Sequence, residues 1–187
     1  PVWGVCSRKR PNHNQLPIVI KPITGGSSVG VKIIKTREEF KKILSRPQLE
    51  SLLWQKFVPG QEMTCGVLEK KGQPFALLPT EIIPKASTWF DYQAKYTPGA
   101  SREITPAKLN SRLTRIIQSF AISAHNHLGC RGMSRSDYIF DGNKFWYLET
   151  NTIPGLTKTS LLPQGAKAMG ISFTKMLELI IKASFVK

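Results

Sequence analysis

Cysteines, acidic residues and long apolar runs are all scarce in this sequence. Its 187 residues include only three cysteines, at positions 6, 65 and 130, and no C-x-x-C pair. An odd number of widely spaced cysteines argues against a disulfide framework or a zinc site and favours reduced thiols in a cytoplasmic protein. No apolar run approaches the length of a membrane span, so we expect no membrane partner.

The sequence also lacks a starting methionine, internal repeats and low-complexity linkers. Residues 1–17 contain no apolar stretch of the kind that a signal peptide carries. We therefore expect the chain to be a fragment of a longer protein, without a signal or transit peptide. A hydrophobic content of 41% is sufficient for one sizeable core or for two small lobes that share an interface.

Twelve acidic residues against 27 basic ones leave a net charge of +15. A basic protein attracts polyanions, which include nucleic acids, nucleotide triphosphates and phosphorylated intermediates. A basic nucleic-acid-binding module is one hypothesis, and a general lysine bias of the source is another. Because the sequence contains no recognised nucleic-acid-binding motif, we expect no nucleic-acid partner.

Apolar periodicity and turn signals predict a mixed α+β chain. Strands are expected at 17–21, 29–34, 52–58, 63–69, 75–83, 133–140 and 145–151, and helices after Thr36, at 107–128 and within 160–182. Residues 84–106 are predicted to be a long polar loop. We expect two lobes, formed by residues 1–84 and 85–187. His125 and His127 are two apart on a predicted helix, so they face different directions and make poor metal partners.

A glycine-rich segment with the sequence K-P-I-T-G-G-S-S-V-G-V occupies residues 21–31. Glycines free the backbone to turn and to present N–H groups to phosphate oxygens. The spacing differs from that of a P-loop, because Lys32 comes one place late and both predicted flanks are strands. The segment predicts either a hairpin flap over a phosphate chain, with Lys21 on the preceding strand, or an ordinary glycine hairpin.

Two neighbouring predicted strands carry polar residues that are spaced two apart. Arg135 and Asp137 lie on the first strand, and Glu149 and Asn151 lie on the second. Residues two apart on a strand share a face, and the two pairs converge only if the hairpin has an odd loop or a bulge. Carboxylate and amide oxygens beside an arginine suit a Mg²⁺ ion that bridges nucleotide phosphates. The alternative is a surface ladder of opposite charges.

Two further segments are candidate ligand sites. At residues 55–62, Q-K-F-V-P-G-Q-E, a strand ends where free backbone groups could face a purine, and Glu62 could bind ribose hydroxyls. At residues 151–161, a Pro-Gly turn precedes a helix that begins near Ser160, and a helix N-terminus attracts anions such as a substrate carboxylate. The alternative for Glu62 is a solvated surface glutamate. The alternative for residues 151–161 is a simple connector between a strand and a helix.

Together and in this order, these segments resemble the D-alanine–D-alanine ligase family of ATP-grasp enzymes. The resemblance covers nearly the whole chain from Pro17 on. It rests on I-K-P and G-S-S-V-G within 20–30, G-Q-E at 60–62, D-Y-Q-A-K-Y at 91–96, G-C-R-G at 129–132 with Arg135 and Asp137, and E-T-N-T-I-P-G-L-T at 149–157. It implies an α+β ATP-grasp fold, in which two lobes of mainly antiparallel sheet with helices hold a nucleotide between them.

The resemblance also implies a role for each candidate residue. Contacts with ATP are implied for Lys21, Ser27, Ser28, Gln55, Lys56, Phe57, Val58, Glu62 and Lys95. Two Mg²⁺ ions, or Mn²⁺ in their place, would be held by Asp137, Glu149 and Asn151. Catalytic roles are implied for Arg135, Lys95, Tyr96, Gly155 and Ser28, with Arg135 and the Gly155 backbone at the oxyanion of a tetrahedral intermediate. The second substrate would be held by Ser160, Leu161 and Gly155.

The implied reaction is the ATP-dependent ligation of two D-alanines for peptidoglycan precursor synthesis in the cytoplasm. The first carboxylate attacks the γ-phosphate to give an acyl phosphate, and the amine of the second D-alanine displaces phosphate. The sequence lacks the family's N-terminal domain, which is therefore an expected partner for ligation, and a homodimer is left open. A ligase with another acceptor, such as a hydroxy acid, is the alternative, although Lys95 and Tyr96 favour an amine.

Overall fold

The computed structural model describes residues 3–6, 11–26, 28–45, 47–84 and 101–185. These residues form ten strands, β1 (Trp3–Val5), β2 (Ile18–Pro22), β3 (Lys32–Ile34), β4 (Leu52–Lys56), β5 (Gln61–Lys70), β6 (Gln73–Ala76), β7 (Thr80–Pro84), β8 (Ser101–Ile104), β9 (Met133–Phe140) and β10 (Phe145–Asn151). They also form four α-helices, α1 (Arg37–Leu44), α2 (Ser111–His127), α3 (Leu161–Ala168) and α4 (Phe173–Ser184). Seven strand pairs have an assigned register, and all seven are antiparallel. Among the helices of these residues, none is long and apolar enough to cross a membrane.

The chain divides into two compact units. Unit 1 comprises the described residues within 1–59 and 84–101, and unit 2 those within 60–83 and 102–187. The sequence predicted one division, near residue 84, whereas the first division falls between Pro59 and Gly60. The reason is that β5 pairs with β9 along most of its length, which makes it part of the sheet of unit 2.

Unit 1 contains a four-stranded sheet in the order β1-β4-β2-β3. One face of this sheet packs against α1, and the buried core consists of Cys6, Ile18, Ile20, Ile34, Phe40, Ile43, Leu49 and Trp54. A capping box begins α1, the helix that was expected after Thr36: the Thr36 hydroxyl accepts a hydrogen bond from the Glu39 N–H at 3.2 Å, and a Glu39 carboxylate oxygen accepts one from the Thr36 N–H. These bonds satisfy backbone donors that the helix cannot pair internally.

Unit 2 contains a six-stranded sheet in which β10-β9-β5-β7-β8 follow one another and β6 pairs with β5. The central strand β5 is buried from Met63 to Glu69, so both faces of the sheet are covered. One face packs against α2, with a core that includes Met63, Cys65, Val67, Ile117, Ala121 and Tyr138. The other face packs against α3 and α4 through Leu68, Leu77, Leu162, Ala166 and Met176.

Helix α3 approaches the sheet closely, because β5 has a glycine beneath it. A Cβ on Gly66 would lie 2.6 Å from Cδ1 of Leu162, so a larger residue would require the Leu162 side chain to move. Gln164 of α3 donates hydrogen bonds to the carbonyl oxygen of Thr159, at 2.9 Å, and to the carboxylate of Glu103 on β8. The helix and the loop before it are therefore anchored to the sheet.

A buried polar network connects α2 to two strands. His125 is 0% exposed, and its Nδ1 lies 2.8 Å from the Ser134 hydroxyl while its Nε2 lies 3.2 Å from the Glu69 carboxylate. The second carboxylate oxygen of Glu69 accepts a hydrogen bond from the Gly132 N–H at 3.0 Å. The network thus fixes the turn that leads into β9. His127 is exposed, in accordance with the prediction that the two histidines face different directions.

Some element boundaries differ from the predicted ones. The predicted strand at 75–83 is two strands, β6 and β7, because each pairs with a different stretch of β5. Part of the predicted loop at 84–106 forms β8. Helix α2 begins at Ser111, four residues later than predicted, because Asn110 is its N-cap and accepts a hydrogen bond from the Leu113 N–H at 2.9 Å.

Candidate functional site

The hairpin of β9 and β10 brings the four polar residues together. Its register shifts between Tyr147 and Glu149, at a β-bulge. As a result, Glu149 lies directly opposite Asp137, and Asn151 lies directly opposite Arg135. Opposite residues of an antiparallel pair point to the same face of the sheet. The structure therefore places both carboxylates, the amide and the guanidinium on one face of unit 2.

Arg135 and Asp137 form a two-pronged ion pair. Nε and Nη2 of Arg135 donate to Oδ1 and Oδ2 of Asp137, each at 2.9 Å, and the two side chains are only 16% and 8% exposed. Burial lowers the pKa of the Arg135 guanidinium, whereas the negative charge of Asp137 and its hydrogen bonds with Arg135 raise it. The carboxylates of Glu149 and Glu62 act in the same direction, so the pKa is raised above its ordinary value. Arg135 is thus a permanent counter-charge for three carboxylates.

A further hydrogen bond reaches Asp137 from the neighbouring strand β5. Thr64 lies opposite Asp137, and its hydroxyl donates to Oδ1 at 2.7 Å. Both residues are buried, with exposures of 2% and 5%. Thr64 was not among the predicted site residues. The available signal was its spacing of two from Glu62, but the strand was predicted to begin at residue 63. Because β5 begins at Gln61, both residues lie on it and share one face.

Glu149 and Asn151 form the exposed side of this face. Oδ1 of Asn151 accepts a hydrogen bond from the Ile153 N–H at 3.0 Å, which turns the chain after β10. Across the described ranges, no group of three or more histidine, cysteine, aspartate or glutamate residues is arranged to hold a metal ion. A cation on this face would therefore need the amide oxygen of Asn151 beside the carboxylates of Asp137 and Glu149.

The loop between β10 and α3 brings two more predicted residues into contact. A Cβ on Gly155 would lie 2.8 Å from the Ser160 hydroxyl oxygen, so the loop closes tightly at this point. Ser160 is the N-cap of α3 but forms no side-chain cap hydrogen bond, because its hydroxyl accepts from the Thr157 N–H at 3.1 Å. Leu161, which is half-buried, begins the helix. The Ser160 side chain consequently does not compete for the first N–H groups of α3.

Most of the residues that were predicted to contact ATP belong to unit 1. Lys21 on β2 and Gln55 on β4 lie on the sheet face opposite the α1 core, and Gln55 is buried there. The segment Gln55, Lys56, Phe57 and Val58 runs from β4 into the following loop. Ser28 is half-buried in the turn between β2 and β3 and has a φ of 61°, in the left-handed region. The glycine-rich segment is thus a turn between two paired strands, as predicted.

The remaining predicted residues are distributed as follows. Glu62 is half-buried on β5, opposite Ile139 and on the same face as Thr64. Ser27, Lys95 and Tyr96 lie outside the described residues. Their roles stay predictions.

Asp141 organises the tip of the β9–β10 hairpin. Its Oδ1 accepts hydrogen bonds from the N–H groups of Asn143 and Lys144, both at 2.9 Å, and its Oδ2 accepts one from Trp146 Nε1 at 2.6 Å. The Lys144 ammonium lies 4.1 Å from the centroid of the Trp146 ring. Hydrogen bonds from the Lys144 backbone, the Trp146 indole and the Asn143 backbone lower the pKa of Asp141 to about 2.

We expect Asp141 to contribute pH-dependent stability. Because its pKa falls on folding from 3.8 to about 2, its contribution is complete above pH 3.8 and is lost as the pH falls towards 2. The difference in unfolding free energy between the wild type and Asp141→Asn should therefore be constant near neutrality and shrink in that window. Urea unfolding at a series of pH values measures it, and an equal difference at pH 7 and pH 3 would contradict the expectation.

Comparison with known proteins gives consistent matches over nearly the whole chain. A family model described as the D-ala D-ala ligase C-terminus matches residues 6–182. The D-alanine–D-alanine ligase of Leptospira biflexa is 47% identical over 173 residues, which are 87% of this chain and 49% of that protein. A solved D-alanine–D-alanine ligase from Bacillus anthracis is 31% identical, with a TM-score of 0.78, over 98% of this chain and 61% of the other.

A second structure, of the Bacillus anthracis ligase complexed with ATP, is 26% identical, with a TM-score of 0.75, over 98% of this chain and 60% of the other. The chain spans about half the length of the curated relatives it matches.

Proposed function

Because the chain belongs to the D-ala D-ala ligase C-terminus family, we propose that it forms the ATP-binding and acceptor-binding part of an enzyme that joins two D-alanines. Its α+β fold is the ATP-grasp fold of its structural neighbours, as predicted. The observation that carries the proposal is the single face of unit 2 on which the β-bulge aligns Arg135, Asp137, Glu149 and Asn151. This face combines metal-ligand oxygens with a permanent cation.

Asp137, Glu149 and Asn151 would hold Mg²⁺, with two ions expected and Mn²⁺ as a substitute. The donor set fits, because hard cations such as Mg²⁺ prefer carboxylate and amide oxygens. Oδ2 of Asp137 supports this assignment, since among the described residues its one donor is Nη2 of Arg135, which occupies one of its two lone pairs. When bound, the ions would neutralise the negative charge that develops on the phosphoryl oxygens.

The two units would have different tasks in binding ATP. Unit 1 would contact the phosphates through Lys21 and the turn that contains Ser28. The segment Gln55, Lys56, Phe57 and Val58 would contact adenine, with Gln55 able to both donate and accept hydrogen bonds. Unit 2 would contact the ribose hydroxyls through Glu62 and would carry the metal and acceptor sites. The ATP complex of a relative with the same fold supports ATP as the nucleotide.

The acceptor would bind at the loop that leads into α3. The uncapped N-terminus of this helix, at Ser160 and Leu161, favours a carboxylate, because the helix dipole and free N–H groups attract anions. Gly155 faces Ser160 across the loop without room for a Cβ between them, which supports a role for its backbone N–H beside the same substrate. Arg135 and Gly155 would then stabilise the oxyanion that forms when the amine attacks.

In the proposed reaction, the carboxylate of one D-alanine takes the γ-phosphoryl group of ATP and becomes an acyl phosphate. The amine of the second D-alanine attacks the acyl carbon, and phosphate leaves with the electrons of the broken C–O bond. A carboxylate is a poor electrophile until it is phosphorylated, so ATP supplies the leaving group. The protein would contribute positioning and charge neutralisation. Lys95 and Tyr96 remain predicted contributors to this step.

Calorimetric titration of Mg-ATP into the chain tests the proposal. We expect binding to require magnesium and to be weakened in both Asp137→Ala and Glu149→Ala, because each variant removes a proposed metal ligand. Glu178→Ala is the matched control, since Glu178 is an exposed acidic residue of α4 whose ion pairs, among the described residues, are with Lys175 and Lys182 of its own helix.

Magnesium-independent binding, or equal losses in all three variants, would contradict the metal assignment. Binding of oligonucleotides with a steep salt dependence, in place of ATP, would instead favour the basic nucleic-acid-binding module. The choice between D-alanine and a hydroxy acid as acceptor is decided by the identity of the product.

A further inference from the structure

Thr64 makes a specific contact that the proposed function does not require. Its hydroxyl has one proton and two acceptors within reach, Oδ1 of Asp137 at 2.7 Å and the carbonyl oxygen of Ser136 at 3.3 Å. The shorter contact is with a charged acceptor, and charge-assisted hydrogen bonds are the stronger ones. The proton therefore belongs to the Asp137 bond. The residue on β5 thus orients a carboxylate on β9.

The hydrogen bonds to Asp137 are distributed unequally between its two oxygens. Oδ1 accepts from Thr64 and from Nε of Arg135, whereas Oδ2 accepts from Nη2 of Arg135. Each carboxylate oxygen has two lone pairs in its plane. Oδ1 is therefore saturated by these donors, and within the described part of the chain Oδ2 retains one lone pair for a further partner. Without Thr64, both oxygens would retain one.

We propose that Thr64 is a positioning residue that restricts Asp137 to a single metal-ligand oxygen, Oδ2, and thereby selects small octahedral cations. This inference rests on the proposed metal site. Mg²⁺ and Mn²⁺ accept one oxygen from each of several ligands in an octahedron, whereas Ca²⁺ takes six to eight oxygens and often binds a carboxylate through both. A carboxylate that offers one oxygen suits the smaller ions. The hydroxyl of Thr64 would thus act on metal preference through Asp137.

A purely structural role for Thr64 predicts a different result. A threonine in the centre of a sheet can serve by packing alone, because its β-branched shape suits a strand. Valine has nearly the same shape and no hydroxyl, so Thr64→Val keeps the packing and removes the hydrogen bond. Thr64→Ser keeps the hydroxyl and removes the methyl group. The two variants therefore distinguish the effect of the hydroxyl group from the effect of side-chain shape.

The experiment measures Mn²⁺ binding to the chain with ATP by electron paramagnetic resonance, followed by displacement of Mn²⁺ with Ca²⁺. We expect Thr64→Val to weaken Mn²⁺ binding by about tenfold, as is typical when a residue that orients a metal ligand is lost. We expect Ca²⁺ binding to weaken less, so that the preference for Mn²⁺ over Ca²⁺ narrows. Thr64→Ser should resemble the wild type in both respects. Thermal unfolding identifies folded variants, and Thr64→Ala replaces Thr64→Val if the latter does not fold.

Each outcome has a distinct meaning. The inference would be overturned if Thr64→Val kept the wild-type preference for Mn²⁺ over Ca²⁺. It would also be overturned if Thr64→Val and Thr64→Ser weakened Mn²⁺ binding equally. Either result would leave the proposed metal site intact. A wild-type chain that binds no Mn²⁺ in the presence of ATP would overturn both the inference and the metal site. A narrowed preference in Thr64→Val alone would support the role of the hydroxyl.

Discussion

Replacement of Arg135 by alanine is expected to lower the unfolding free energy by about 3 kcal/mol, because it leaves a buried carboxylate without its counter-charge. Asp137 is 8% exposed in its side chain and would keep only the Thr64 hydrogen bond among its charge-compensating contacts. The carboxylates of Glu149 and Glu62, which also act on Arg135, would repel it. Urea unfolding of the variant and the wild type measures the loss.

A divalent cation should restore part of this stability. At the proposed site Mg²⁺ would bind the folded state only, so it would raise stability by mass action and replace the charge that the variant lacks. We therefore expect magnesium chloride to stabilise Arg135→Ala more than the wild type. Arg135→Lys should lie between the two, because lysine keeps the charge but cannot form the two-pronged bond.

Arg112→Ala is the matched control for Arg135→Ala, since Arg112 is exposed on the first turn of α2. Its effect should stay within about 0.5 kcal/mol, as for most surface substitutions. If Arg135→Ala lowered the unfolding free energy as little as the control does, the result would contradict the expectation that the buried ion pair stabilises the fold. Equal stabilisation of the variant and the wild type by magnesium would contradict the proposal that metal and arginine serve the same carboxylates.

Replacement of His125 by alanine is expected to lower the unfolding free energy by about 3 kcal/mol, because it creates a cavity and breaks a buried polar network. The imidazole is 0% exposed and lies within hydrogen-bond distance of both Ser134 and Glu69. Its loss leaves the Glu69 carboxylate with the Gly132 N–H as its remaining partner in the network. The turn that leads into β9, and with it the position of Arg135, should become less well fixed.

His127→Ala is the natural control, because it removes the same side chain two residues away on the exposed face of α2. We expect it to change stability by no more than about 0.5 kcal/mol. Glu69→Gln should fall between the two, since an amide retains one acceptor for the Gly132 N–H. Chemical denaturation followed by circular dichroism provides the comparison, and equal losses for the two histidine variants would show that the buried network contributes little.

The sequence by itself was sufficient for features that depend on near neighbours. The capping box of Thr36 and Glu39 closes within three residues, and the alternation of Arg135 with Asp137 follows from the period of a strand. The exposure difference between His125 and His127 follows from helical geometry in the same way. The family resemblance, which was confirmed, rests on motifs that are themselves short and ordered along the chain.

Only the tertiary structure decided which strands distant in sequence pair, and in what register neighbouring strands pair. The bulge between Tyr147 and Glu149 has no clear local signal, yet it determines that Glu149 faces Asp137. The pairing of β5 with β9 joins residues that are 65 to 79 positions apart. This pairing places the division of the chain after Pro59 and brings Thr64 to Asp137. Strand pairing depends on the whole sheet and on the helices that cover it, so local propensities do not determine it.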